Sequence, residues 1–160
     1  MLQISLIAMG NCKEAHFRDA CKEYQKRLSS FCTLTVIELS PRRIANRENE
    51  KELANALCAE GKAILEKIPS GAYVVPLCVE GKTMDSIALS AQIVSLPLKG
   101  FSKVCFVIGS SHGLANEVKQ RGNLKLSLSP LTLPHELARV VLLEQLYRAF
   151  CIAKGTKYHK

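Results

Sequence analysis

Two continuous apolar runs constrain this chain most: "AYVVPLCV" at 72–79 and "KVCFVIG" at 103–109. A strand with one wet face alternates apolar and polar side chains. Runs without that alternation belong to strands covered on both faces, the kind found inside parallel sheets with helices above and below. Further strands are expected at 2–8 ("LQISLIA"), 33–39 ("TLTVIEL") and, briefly, 124–128 ("LKLSL"). Between the strands the apolar spacing becomes helical, over 15–29, 48–67, 86–96, 114–121 and 135–154. Strand and helix thus alternate from end to end. That pattern predicts one α/β domain over 1–160, a mainly parallel sheet flanked by helices. Ligands of such sheets sit outside the carboxyl ends of the strands, where the runs at 72–79, 103–109 and 124–128 all finish.

The last helix has almost no polar side. Leu137, Val140, Val141, Leu142, Leu143, Leu146, Tyr147, Phe150 and Ile152 cover nearly its whole circumference at 100° per residue. Burial all round is therefore expected, with one face on the sheet and another on a second copy of the chain. Two-fold pairing is the default for such a self-contact. Glu144 and Arg148 stand four apart in the order that favours an ion pair. Arg139, one turn in from the helix start, suits either a structural role or contact with a bound anion.

Twenty-two Lys and Arg against fourteen Asp and Glu leave a net charge of +8. Such a field attracts polyanions, nucleic acid first among them. Arg42, Arg43 and Arg47 concentrate in the polar stretch "SPRRIANRENE". Seven cysteines with no Cys-x-x-Cys pair suggest neither a zinc site nor a disulfide framework, and point to a reducing cytoplasm. Cys78 and Cys105 lie in apolar runs and are expected to pack in the core. Cys12, just after the first strand, is a candidate nucleophile without a visible local partner. The opening "MLQISLIAMGNC" reads as a first strand, not as a signal peptide. No apolar run is long enough to cross a membrane.

Two loops carry the chemistry. "VIGSSHGL" (107–114) follows a buried strand, and Gly109 and Gly113 permit close approach of backbone to a ligand. "SLSPLTLPHE" (127–136) offers apolar side chains and peptide groups without net charge. Pro130 and Pro134 restrict its freedom before anything binds.

Together with "LCVEGK" (77–82), "LSLSPLTLPHELARVVLLEQLYRAF" (126–150) and the terminal "YHK" (158–160), these loops resemble the RlmH-type ribosomal RNA methyltransferases of the SPOUT superfamily. The resemblance covers the whole chain and is strongest over its last sixty residues. It implies a C-terminal trefoil knot, a homodimer, and S-adenosylmethionine as methyl donor, with no metal. It implies methyl transfer to N3 of pseudouridine 1915, in helix 69 of 23S rRNA within the ribosome. A non-catalytic ribosome-binding module of the same fold is the alternative. By motif match, Leu77, Gly109 and Leu128, Ser129, Pro130, Leu131, Thr132 and Leu133 enclose the cofactor. His135, Arg139, Tyr158, His159 and Lys160 match positions near the substrate. Either His135 or His159 is the candidate base, and Arg139 or a tail lysine the candidate cation. The family usually has Gly-Gly at the first loop; here the second position is Ser110, whose Cβ disfavours positive φ.

Overall fold

The computed structural model describes residues 1–159, so Lys160 lies outside the described residues. Its elements run β1 (Leu2–Met9), α1 (Ala15–Leu28), β2 (Cys32–Leu39), α2 (Glu50–Lys67), β3 (Tyr73–Thr83), α3 (Ser86–Ser95), β4 (Lys103–Ile108), α4 (Asn116–Arg121), β5 (Leu126–Ser127) and α5 (His135–Ala153). A single 3₁₀ turn at Pro97–Lys99 joins α3 to the following strand. The five strands form one sheet in the order β2-β1-β4-β3-β5, and every strand pairing is parallel. The expected α/β architecture is therefore present.

Both faces of the sheet are covered, as the unbroken apolar runs require. Ile4, Leu6, Ala8, Phe106 and Ile108 face one layer, which α1, α5 and α3 fill with Cys21, Leu28, Leu142, Leu143, Leu146, Leu89 and Ile93. Ile7, Met9, Val74, Cys105 and Val107 face the other, against Ile64 of α2 and Val118 of α4.

The position of α5 explains its composition differently from the sequence. It is the middle helix of its layer. The Ser90 hydroxyl on α3 donates to the Ala149 carbonyl at 2.6 Å, and Ser86 donates to Gln145 at 2.6 Å. On the other flank Tyr147 and Phe150 meet Tyr24 and Phe31, with ring centroids 5.6–6.3 Å apart. No residue from His135 to Ile152 is exposed in the single chain. Neighbouring helices thus cover two of the sides that composition alone assigns to a partner. The side left over carries Leu137, Val141, Glu144 and Arg148, all half-buried.

β3 also differs from expectation. The sequence suggests a strand ending at 79 and a turn beyond it. Instead, Leu77 and Lys82 both lie opposite Leu126, and pairing resumes at Thr83 with Ser127. Residues 78–81 step out of the ladder and return. A Cβ on Gly81 would lie 2.7 Å from the Leu126 carbonyl carbon, so the return passes too close to β5 for a side chain.

α1 lacks a capping side chain of its own. Glu136, in the first turn of α5, instead anchors the chain just ahead of the helix: its carboxylate accepts from the Lys13 and Glu14 amides at 3.2 Å each. Burial alone raises this carboxyl's pKa. The two amides, with His135 and Arg139 nearby, outweigh that and hold it below the usual glutamate value.

Candidate active site

A cleft of about 660 Å³ opens at the carboxyl ends of β3, β4 and β5. That is within the usual range for a small-molecule site, about 300–1,000 Å³. Three segments build it. The 78–81 excursion of β3 forms one wall, together with Leu77. The loop after β4 forms the floor with Ile108, Gly109, Ser110 and Gly113. The segment from Leu128 to Pro134 closes over the remaining side and leads into His135.

The floor is a tight turn. The Gly113 amide donates to the Ser110 carbonyl at 2.9 Å, and Gly113 has φ +86°. A Cβ on Gly109 would stand 2.7 Å from the Gly113 carbonyl carbon, so only glycine lets the turn close this tightly. In the 128–134 segment the Ser129 hydroxyl accepts from the Leu131 amide at 3.0 Å, and the Ser127 hydroxyl donates to the Ser129 carbonyl at 3.0 Å. These local bonds, with the two prolines, fix the segment's path. The charged groups lining the cleft, Glu80 and Lys119, pair with each other and cancel. That pairing holds the Glu80 carboxyl below its usual range.

This cleft gathers Leu77, Gly109, Leu128, Ser129, Leu131, Thr132 and Leu133, every residue expected around the cofactor except Pro130. A family model described as "Predicted SPOUT methyltransferase" matches residues 2–159. The chain belongs to the SPOUT methyltransferase family. Among its relatives, the "Ribosomal RNA large subunit methyltransferase H" of Oenococcus oeni is 43% identical over 160 residues, covering 100% of both chains. The protein of the same name from Streptococcus pneumoniae is 43% identical over 159 residues, 99% of this chain and 100% of the relative. A solved structure of a probable methylase family protein from Haemophilus influenzae superposes over 99% of this chain and 70% of its own, with a TM-score of 0.56 at 16% identity, which supports the fold.

Other expected site residues of this SPOUT chain lie elsewhere. Arg139 is 3% exposed and faces away from the cleft. It forms an ion pair with Glu38, at the end of β2, and donates to the Gly10 carbonyl at 2.7 Å. Gly10 has φ +101° and lies beside the His135 ring, so His135 and Arg139, one turn apart on α5, both meet the same turn. His135 itself lines the cleft, with its side chain 37% exposed.

Tyr158 folds back on α5. The Tyr158 hydroxyl reaches Glu144 at 3.1 Å, its ring packs against Tyr147 at 4.8 Å, and the Arg148 guanidinium sits 4.7 Å from its centroid. Burial, then hydrogen bonds to Tyr24 and Glu144, push its phenol pKa upward. Arg148 also donates to Glu144 at 2.9 Å, the pair expected from the sequence. Thirteen residues of helix separate His135 from Arg148, about 20 Å at 1.5 Å per residue. Tyr158 therefore stands well away from its own cleft.

Cys105 is fully buried, but Cys78 is half-buried in the cleft wall, because β3 leaves the ladder there. Cys12 lies in a separate crevice with Cys21, whose thiol burial pushes up to about 12. The sequence reading overlooked Glu60, Glu80 and Lys119. Glu60 is 3% exposed, and its oxygens accept from the Arg42 amide at 2.9 Å and the Ser110 hydroxyl at 2.8 Å. No sequence motif marks it; only its place on the inner stripe of α2, between Ala56 and Ile64, hints at burial.

Proposed function

We propose that this protein transfers a methyl group from S-adenosylmethionine to N3 of pseudouridine 1915 of 23S rRNA, acting as a homodimer on assembled ribosomes in the cytoplasm. The observation that carries this reading is the cleft itself. It is lined by the residues expected to enclose the cofactor, it is of suitable volume, and its charged pair cancels. A neutral, largely apolar cleft suits a ligand with an adenine and a sulfonium. The names of the relatives supply the ribosomal target.

Bound there, the cofactor supplies an already activated methyl group. The chain's own task is then alignment and management of one proton. Leu128, Leu131 and Leu133 hold the flat base, and Gly109 brings the turn's backbone close. His135 lines the cleft and, in this reading, accepts the imide proton as the nucleophile forms. Arg139 acts through the Gly10 turn, which it holds beside His135. Tyr158, His159 and Lys160 serve the cleft of a partner protomer, since Tyr158 packs far from its own. Leu137 and Val141 form part of the face that brings the partners together. The carboxyl-end loop with Arg42, Arg43 and Arg47 engages rRNA phosphates. The family's knotted C-terminal threading belongs to the same reading.

The test is incubation with radiolabelled S-adenosylmethionine and ribosomes from a strain lacking this methylation. Label at pseudouridine 1915, with little on protein-free rRNA, is the expected result. Absence of label alongside a working control enzyme refutes the proposal. Ser110 does not favour the non-catalytic alternative, because among the described residues positive φ occurs only at glycines.

A further inference from the structure

Glu60 is a buried acid that forms no ion pair among the described residues. Burying a carboxylate is costly unless its oxygens are satisfied. An apolar side chain on the inner stripe of α2 would avoid that cost, so the acid's position calls for a reason. Its two hydrogen bonds supply one. Oε1 holds the backbone amide of Arg42, in the basic loop after β2, and Oε2 holds the hydroxyl of Ser110, in the floor of the cleft. The two loops are far apart in sequence, and both lie at the carboxyl edge of the sheet. Glu60 is the bridge between them.

Ser110 is well placed to pass on a displacement. Its carbonyl closes the turn onto the Gly113 amide, and its neighbour Gly109 fits that turn with no room for a Cβ. A shift of Ser110 therefore reaches Gly109 and the cleft floor. The Arg42 end is equally direct. The bond runs to the backbone, so a movement of the loop at Arg42 changes the geometry at Oε1.

We infer that Glu60 is a positioning residue that couples engagement of nucleic acid by the Arg42–Arg47 loop to occupancy of the cofactor cleft, with Ser110 as its contact in the cleft. The inference rests on the proposed function. Linkage makes the effect reciprocal: RNA that fixes the arginine loop tightens cofactor binding, and the cofactor tightens RNA binding by the same factor. Ser110 is what gives this chain the side-chain bond; a glycine there has no hydroxyl to offer.

The experiment measures the dissociation constant of radiolabelled S-adenosylhomocysteine by equilibrium dialysis, with and without saturating large ribosomal subunits. The ratio of the two constants is the readout. For the wild-type protein a ratio of about 5 or more is expected, the lower end of usual coupling between sites. Ser110→Ala and Glu60→Leu are expected to bring it towards 1, whatever they do to binding by the free protein. Glu60→Asp, which keeps both acceptor oxygens, is expected to retain part of it. Should Glu60→Leu fail to fold, Ser110→Ala carries the test alone. A wild-type ratio of 1, or an unchanged ratio in Ser110→Ala, overturns the inference while leaving the cofactor reading intact. Failure of the free wild-type protein to bind S-adenosylhomocysteine overturns both.

Discussion

A Cβ on Gly109 meets the Gly113 carbonyl, so Gly109→Ala must open the turn that floors the cleft. We expect it to weaken S-adenosylhomocysteine binding at least tenfold by calorimetry, with the far-ultraviolet circular dichroism of the wild type retained. The adjacent Ser110 illustrates the limit of reading residues from sequence. Whether it sits at positive φ decides if the Gly-Gly departure matters, and nothing in "IGSSHG" fixes that angle. The structure places it outside the left-handed region and gives its hydroxyl a buried acceptor. Glu136 makes a second prediction. Replacing it with Ala leaves the Lys13 and Glu14 amides without their acceptor, at a cost of about 1 kcal/mol and about 2–4 °C in Tm. Its carboxyl has a folded pKa below the ordinary 4.5, so its stabilisation is fully present above that value. It is lost as pH falls through the lower folded value. The Tm gap between wild type and Glu136→Ala is therefore expected to be widest near neutrality and to narrow below about pH 4.5.

At the scale of elements, hydropathy periodicity located all five helices and all five strands, because buried strands and amphipathic helices differ in period. It could not say what covers α5. Apolarity records that a surface is buried, and α1 and α3 bury it as well as a partner would. It also ended β3 early, since Glu80 and Gly81 look like a turn when the crossing over β5 is unknown. Arg139 belongs to this scale, because it fastens α5 to the ends of β1 and β2. Arg139→Met leaves Glu38 and the Gly10 carbonyl without their donor and is expected to cost about 1.5–3 kcal/mol in urea unfolding. Cofactor affinity should change far less than stability. Tenfold weaker binding with unaltered stability would instead assign Arg139 to the ligand.

For the whole molecule, the half-buried outer side of α5 and the tail belong to one question. If Tyr158 and His159 complete a partner's cleft, a chain that cannot pair cannot methylate. Leu137→Arg places a charge on the half-buried outer side of α5 and avoids the cleft lining. It is expected to sediment as a monomer, to keep S-adenosylhomocysteine affinity within about threefold of wild type, and to lose methyl transfer to ribosomes by more than a hundredfold. Retained transfer by a sedimentation-verified monomer would remove the composite site. No described helix is long and apolar enough to cross a membrane. The excess of cations and the arginine loop at the carboxyl edge instead orient the molecule towards a polyanion.

The detour at 78–81 carries one more implication. Because β3 rejoins β5 beyond it, residues gained or lost there would reshape the ligand chamber without sliding any strand past its neighbour.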